Sequence, residues 1–285
     1  SILSPSSQNS IVGLKPTIGL LSRSGIVPIS STLDTPGPMT KNVTDNAILL
    51  AAMYGFDEAD AKSLNLKWPK VYYVDRDFSK DDLKGKRFGA FKRLMEDSLY
   101  VNALSVLKAQ GAEIIEIEEE EVELPNFIRL LNLDMKTDLP TYLSTSANVD
   151  VGVSSVQDVI EFNKKDSINT MPYGQKLFEG IVADSATDSE FESIKATLKT
   201  NGKLYFDVPK KAHDLDGFLS INNYHAGFAA VAEYPALTVP MGYTIDGVPK
   251  GLTFISTPLS EKNLLNWAYV YEAASKKRVA PKNYN

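Results

Sequence analysis

The sequence predicts an α/β fold in which a β-sheet is layered by helices, and three observations support it. Hydrophobic residues make up 43% of the 285 residues, enough to bury a sizeable core in one large domain or two small ones. Residues 84–117 read as strand, amphipathic helix and strand, the βαβ unit that builds parallel sheets. The last quarter returns to strands and closes with a helix.

The first forty residues contain recurrent glycine and proline, which favour short strands joined by tight turns. The stretch NVTDNAILLAAMYG then predicts a helix. Thr44 is its expected N-cap, Asp45 stands in its first turn, Met53 is its last residue and Gly55 stops it.

A polar linker over residues 57–84 precedes the βαβ unit. Its strands are predicted in KGKRFGAF and AEIIEIE, and its helix in DSLYVNALSVLKAQG, which ends at Gly111. The acidic run that follows, through Glu121, is interpreted as a solvated strand end.

Helical spacing continues over residues 124–143, 155–164 and 188–211, although Gly202 weakens the last prediction. Strands are predicted in DGFLSI, ALTVPMGY and GLTFIST, with a turn in IDGVPKG between the last two. A final helix is expected to begin at Ser260 as N-cap and to end in lysines.

The composition of the chain argues against two classes of partner, nucleic acids and membranes. A net charge of −6 argues against a nucleic-acid partner, because phosphate binding needs clustered Lys and Arg. No apolar run approaches the roughly 18 residues of a membrane span, so no membrane partner is expected. The absence of cysteine excludes disulfides, thiolate nucleophiles and cysteine-ligated zinc, and it leaves the compartment, cytoplasmic or exported, undetermined.

Only two histidines are present, His213 and His225. A lone histidine is more often a packed or surface residue than a catalyst, and two are too few for a multi-histidine metal site. Hydrolytic chemistry in this protein is therefore expected to use a different base.

Two long segments resemble the amidase signature family. The first segment contains, in this order along the chain, SILSP, IVGLKPTIGLLSRSGIVPIS and DTPGPMTKNVTDNA. The second segment is YPALTVPMGYTIDGVPKGLTFISTPLSEKNLLNWAYVYEAASK. The resemblance implies a mixed, largely parallel sheet covered by helices on both faces. It implies one domain over residues 1–285 that lacks its N-terminal part, with a variable, mostly helical, substrate-side region over 57–214.

The same resemblance aligns Ser1 with the family's acyl-accepting nucleophile. It implies a relay in which an upstream lysine deprotonates a serine on a cis peptide bond, which activates the nucleophile. The implied reaction is cleavage of a carboxamide to a carboxylic acid and ammonia or an amine, without metal or organic cofactor. The partners are a small-molecule or peptide amide and the missing N-terminal part, without which the chain is expected to be inactive.

One departure from the family pattern bears on the substrate. Leu3 stands where the family usually has arginine, so the ion pair that an arginine could form with an acidic substrate is lost. Neutral or apolar amides are expected, as for the peptide and aliphatic amidases of the family.

Two segments are candidate pocket walls. LSINNYHAG offers Ser220, Asn222, Asn223 and His225, which either line the substrate pocket or satisfy a turn. NTMPYGQKLF offers Met171 and Tyr173, which either form a pocket wall or belong to the core. Lys15, in GLKPT, is assigned a structural role.

Three other functions stay open. A non-catalytic fragment or pseudoenzyme would bind a partner through an open sheet edge. A glutamine-dependent amidotransferase subunit would release ammonia from glutamine for a partner protein. An N-terminal nucleophile hydrolase would use the α-amine of Ser1 as its own base.

Overall fold

The structure, a computed structural model, describes residues 2–74, 82–148 and 150–281 and divides into two compact units. Unit 1 comprises Ser1–Ser22, Thr35–Glu123 and Asn201–Asn285, and unit 2 comprises Arg23–Asp34 and Leu124–Thr200. The limits of the family domain and of its variable region stay predictions.

The described residues of unit 1 form a seven-stranded mixed sheet. Its strands are β1 Val12–Lys15, β2 Met39–Thr40, β3 Arg87–Phe91, β4 Glu113–Ile117, β5 Gly217–Ile221, β6 Ala236–Tyr243 and β7 Pro249–Ile255. The strand order is β2-β1-β6-β7-β5-β3-β4.

The α-helices of the described residues are α1 Leu3–Gln8, α2 Val43–Met53, α3 Ser98–Ala109, α4 Phe127–Thr145, α5 Val156–Lys165, α6 Ser167–Thr170, α7 Lys176–Ala183, α8 Asp188–His213, α9 Ala226–Val231 and α10 Glu261–Ser275. Short 3-10 helices occupy Lys70–Tyr73 and Lys92–Glu96. No helix in the described parts of the chain combines the length and the apolarity needed to span a membrane.

The predicted α/β fold with a mixed sheet is confirmed, and so is the βαβ unit, in which α3 joins the parallel neighbours β3 and β4. Parallel pairing involves fewer strands than the largely parallel sheet that the resemblance implied. It is confined to β3 with β4 and β3 with β5, whereas the remaining pairs are antiparallel. The reason is the β6–β7 hairpin, whose short turn forces antiparallel strands at the centre of the sheet.

One face of the central strands is apolar. The register places four apolar side chains in one cross-strand row, Leu14, Leu237, Phe254 and Leu219. All four are essentially inaccessible to solvent. The ring of Phe254 meets Tyr271 of α10 edge-on, with centroids 6.4 Å apart, so α10 covers this face.

Two local predictions need correction, and a third is confirmed in position. Residues 3–8 form helix α1 where short strands and turns were expected. The N-cap of α2 is Asn42 and not Thr44, because Asn42 has extended backbone and its side-chain oxygen accepts from the Asp45 N–H at 2.7 Å. Ser260 is the N-cap of α10, as predicted, although its side chain makes no capping hydrogen bond.

Helix α8 is continuous through Gly202 despite the helix-weakening tendency of glycine. A Cβ at Gly202 would lie 2.7 Å from the backbone nitrogen of Ala232 and 2.5 Å from a methyl carbon of Val231. The glycine therefore permits the close packing of α8 against the end of α9.

Unit 2 has a small core of its own, formed by Leu139, Val156, Ile160 and Ile181 from α4, α5 and α7. The segment 23–34 is attached to α4 by hydrogen bonds. Ser30 donates to Asp134, and the N–H of Ser31 donates to Asp138 at 2.6 Å. The carboxylate of Asp34 also closes this loop by accepting from the N–H groups of Ile29 and Ser30.

Candidate active site

Ser1, the predicted nucleophile, lies outside the described residues, but the segment that follows it is described. Helix α1 begins two residues later, and the carbonyl of Ile2 accepts from the Ser6 N–H at 3.2 Å. The side chain of Leu3 is 3% exposed and packs in the main core. The position that usually carries arginine in the family therefore presents no charge.

Glycines allow α1 to approach the sheet closely. A Cβ at Gly13 of β1 would lie 2.0 Å from Ser6 Oγ, and one at Gly251 of β7 would lie 3.1 Å from Ser7 Cβ. A Cβ at Gly37 would lie 2.6 Å from a methyl carbon of Ile2. Side chains at these positions would displace α1 or the residue directly after Ser1.

The face of the sheet beneath α1 is lined by hydroxyl groups. The register places Thr238, Thr253 and Ser220 side by side in a cross-strand row that continues to Gly13, and we call these three residues the hydroxyl row. None of the three is more than 1% exposed. Thr253 donates to the carbonyl of Asn222 at 2.6 Å, whereas the hydroxyls of Thr238 and of Ser6 have no hydrogen-bond partner among the residues that the structure describes.

Ser220 and His225 are brought together. Ser220 Oγ lies 2.6 Å from His225 Nδ1, and His225 Nε2 lies 3.1 Å from Glu119 Oε1. Arg93 donates to the same Glu119 oxygen at 2.7 Å and 3.0 Å. Both nitrogens of the imidazole are therefore engaged within the protein.

The imidazole is also enclosed by aromatic rings. Phe91 stacks on His225 with centroids 4.2 Å apart, and Tyr205 lies on it at 5.7 Å. Burial lowers the pKa of His225, against the opposing effect of Glu119. Although burial alone would raise the pKa of Glu119, hydrogen bonds from Arg93 and His225 lower it. The lowered pKa values of the two groups favour a neutral imidazole beside an ionised carboxylate.

Asn222 and Asn223 occupy the turn after β5. Asn222 has a left-handed backbone with φ of 50°, its N–H donates to the Gly251 carbonyl, and its side chain accepts from the Gly251 N–H at 2.7 Å. Asn223 is exposed. The turn interpretation accounts for the contacts of Asn222, and the substrate-binding assignments of Ser220, Asn222, Asn223 and His225 stay predictions.

Met171 and Tyr173 belong to unit 2. Met171 is half-buried, and Tyr173 is 100% exposed, so Tyr173 is not a core residue. Its assignment to a pocket wall, like that of Met171, stays a prediction. A cleft of about 460 Å³ in unit 2 is lined by other residues, at the start of α8 and around Pro125.

Lys15 is half-buried at the end of β1, and its structural role stays a prediction. Its ammonium donates to the Pro16 carbonyl at 3.1 Å, and burial lowers its pKa to about 8. Nearby, Glu261 at the start of α10 is fully buried and accepts from the Thr17 N–H at 2.6 Å. Burial raises the pKa of Glu261, whose second oxygen has no hydrogen-bond partner within the described parts of the chain.

Sequence reasoning missed Arg93 and Glu119 as partners of His225. Glu119 was included in an acidic run interpreted as solvated, but its side chain is only 30% exposed. Glu119 and His225 are 106 positions apart, and no local sequence pattern indicates their contact. The hydroxyl row did leave a signal, because Ser220 interrupts an otherwise apolar strand and Thr238 and Thr253 each stand between apolar neighbours.

Comparison with known proteins gives consistent results. The family model described as Amidase matches residues 1–265. A crystal structure of an amidase family protein from Bacillus anthracis is 35% identical with a TM-score of 0.92, and the match covers 99% of this chain and 57% of that one. The native peptide amidase from Stenotrophomonas maltophilia is 32% identical with a TM-score of 0.88, covering 98% and 61%.

Curated relatives agree. A probable amidase from Arabidopsis thaliana is 31% identical over 99% of this chain and 56% of its own length. A glutamyl-tRNA(Gln) amidotransferase subunit from Thermoanaerobacter pseudethanolicus is 28% identical over 99% of this chain and 62% of its own length. The chain thus spans less than two thirds of these relatives. It belongs to the amidase signature family.

Proposed function

We propose that an enzyme containing this chain hydrolyses a carboxamide through an acyl-enzyme formed on Ser1. The observation that carries this proposal is the family match over residues 1–265, which includes the serine that the motif aligns with the nucleophile. The close seating of α1 on Gly13 and Gly251 supports it, because a nucleophile needs a fixed approach to its substrate.

The proposed reaction has two steps. Ser1 Oγ loses its proton to a base and attacks the amide carbonyl, and the C–N bond then breaks as the leaving nitrogen takes up a proton. Water next attacks the ester, which releases the carboxylic acid and restores the serine. His225 is not suited to be the base, since it is buried and both of its ring nitrogens have partners. The family resemblance instead supports an upstream lysine acting through a second serine.

We propose a neutral amide as substrate. The buried Leu3 supports this, because it removes the charge that could pair with an acidic substrate. The similarity to a peptide amidase also favours a peptide or other neutral carboxamide.

The isolated 285-residue chain is proposed to be inactive. The matched relatives are longer, and the resemblance implies that the activating lysine and serine precede the nucleophile in the family. A fusion in which this chain replaces the aligned region of the Bacillus anthracis protein would supply those residues, and the high structural similarity supports the graft.

The test is labelling with a fluorophosphonate probe and amide hydrolysis by the chain and by the fusion. Labelling and turnover are expected only in the fusion. Ser1→Ala should abolish both, whereas Ser4→Ala, on the same helix, should retain them. Turnover by the isolated chain that Ser1→Ala removes would contradict its inactivity. A folded fusion that is neither labelled nor active would contradict the enzyme and favour a binding module.

A further inference from the structure

Asn222 follows strand β5 in a backbone conformation that most residues avoid. Its φ is 50°, in the left-handed region, which glycine adopts freely and asparagine more readily than other residues with side chains. The register identifies its neighbour on β7. Ile221 faces Leu252, so Asn222 stands opposite Gly251.

The side chain of Asn222 takes the place of its own carbonyl group in the ladder. Two residues that face each other in a hydrogen-bonded antiparallel pair exchange two N–H···O=C bonds. The N–H of Asn222 donates to the Gly251 carbonyl at 2.8 Å, but the Gly251 N–H donates to Asn222 Oδ1 at 2.7 Å. The Asn222 carbonyl accepts instead from the Thr253 hydroxyl at 2.6 Å. The chain therefore turns away from the sheet while both backbone groups of Gly251 stay bonded.

The ladder on the other side of β7 is irregular at the same level. Gly251 faces Pro240 of β6, which has no N–H to donate. The next pair is Gly242 with Lys250, so the register shifts between Pro240 and Gly242. Asn222 consequently fixes Gly251 at the level where the pairing with β6 is interrupted.

Gly251 is one of the glycines on which α1 rests. A Cβ at this position would lie 3.1 Å from Ser7 Cβ and 2.3 Å from Thr238 Oγ1. Because the space between β7 and α1 is too small for one methyl group, a displacement of Gly251 is transmitted to the helix. Helix α1 begins two residues after Ser1.

We propose that Asn222 is a positioning residue for the nucleophile. Its side-chain oxygen holds Gly251, Gly251 supports α1, and α1 fixes the direction in which the chain leads to Ser1. The inference rests on the proposed function, because it takes Ser1 as the nucleophile. It gives Asn222 a role other than contact with the substrate. Precise support of this kind matters, since a misplacement of about 1 Å at a reacting group can cost about 100-fold in rate.

The principal test is Asn222→Gly in the fusion described above. Glycine adopts the left-handed conformation without strain, so this change removes the Oδ1 acceptor and keeps the turn. We expect kcat and the maximal rate of fluorophosphonate labelling to fall about tenfold or more, with KM within about twofold of the wild type. Backbone amides of residues 3–11 should exchange with deuterium about fivefold or more faster.

The split between the kinetic constants separates the two roles of Asn222. Unchanged kcat, or unchanged exchange of α1, would overturn the proposal. A raised KM with unchanged kcat would show that Asn222 binds the substrate instead.

Two further variants identify the atom responsible. Asn222→Asp keeps an acceptor oxygen and tolerates the left-handed conformation, so it should retain kcat and the exchange of α1 within about twofold. Thr253→Val removes the hydrogen bond to the Asn222 carbonyl and should act in the direction of Asn222→Gly, but more weakly. If Asn222→Asp were as damaging as Asn222→Gly, the bond from Gly251 to Oδ1 would not be the cause and the proposal would be wrong.

Asn126→Gly is the matched control. Asn126 also has a left-handed backbone, with φ of 61°, and it precedes α4 in unit 2 without a side-chain capping hydrogen bond. It should leave kcat and the exchange of α1 unchanged, and a loss equal to that of Asn222→Gly would contradict the proposed role. The exchange measurement needs no activity. Faster exchange of α1 in Asn222→Gly, in a fusion that hydrolyses no amide, would contradict the proposed function and still show that α1 depends on Asn222.

Discussion

The hydroxyl of Ser6 fills the space that a side chain at Gly13 would need, 2.0 Å from the position of its Cβ. Ser6 is on α1, close behind the proposed nucleophile, and Gly13 is on β1. α1 can therefore lie this close to β1 only because residue 13 has no side chain.

Gly13→Ala tests this relationship. The added methyl must push α1 away or distort β1, and overpacking of this kind costs about 1–3 kcal/mol. We expect a lower urea midpoint for Gly13→Ala, and reduced fluorophosphonate labelling of the fusion. Gly55→Ala is the control, because nothing lies within 4 Å of its Cβ position. Equal stability of the two variants would show that α1 does not depend on Gly13.

The hydroxyl row offers a matched pair of substitutions. No residue that the structure describes is a hydrogen-bond partner for the buried hydroxyl of Thr238, whereas Thr253 donates to the Asn222 carbonyl. Thr238→Val should be neutral or stabilising, and Thr253→Val should cost about 1 kcal/mol of unfolding free energy. Urea unfolding of both measures the difference. If Thr238→Val lowered the unfolding free energy more than Thr253→Val, the Thr238 hydroxyl would have a partner, such as an internal water.

His225 should make stability pH-dependent. Its pKa is lowered in the folded protein, so between its ordinary value near 6.5 and its folded value the unfolded chain binds more protons. Stability is therefore retained above about pH 6.5 and decreases as the pH falls below it. The loss of urea midpoint between about pH 7.5 and about pH 5.5 should be smaller in His225→Gln than in the wild type. His213→Gln, at an exposed histidine, should keep the wild-type loss.

Glu261 is expected to act chiefly as a hydrogen-bond acceptor. Glu261→Leu leaves the Thr17 N–H buried without a partner, which costs about 1–3 kcal/mol. Glu261→Gln keeps a side-chain oxygen at that place and should cost less, since burial already disfavours the charged carboxylate. Urea unfolding at neutral pH compares the two. If Glu261→Leu matched the wild type, the Thr17 contact would contribute nothing measurable.

The elements with a strong internal period were predictable from the sequence. The β3–α3–β4 unit follows from its alternating apolar spacing and from Asp97, whose side chain caps α3. Helix α1 was not predictable, because six residues with a proline and three serines have little intrinsic helix preference. It is held by packing on glycines outside the helix, Gly13 nearby in sequence and Gly251 far from it.

The residues of the candidate site also differ in how far the sequence alone predicts them. Ser1 is predicted as the nucleophile from a motif that is local in sequence. The partners of His225 are not, because Arg93 and Glu119 reach it only through the parallel pairing of β3 with β4 and β5. Sheet order depends on such long-range contacts, which no local pattern encodes.

The strand order also has a consequence for biosynthesis. β6 and β7 are made last of the strands and yet lie in the middle of the sheet. While a ribosome is still adding residue 235, β2 with β1 and β5 with β3 and β4 can exist only as two separate partial sheets, each with an open edge. The emergence of residues 236–255 joins them in one late step, so a nascent chain that stops short of this hairpin presents both edges to chaperones or to other chains.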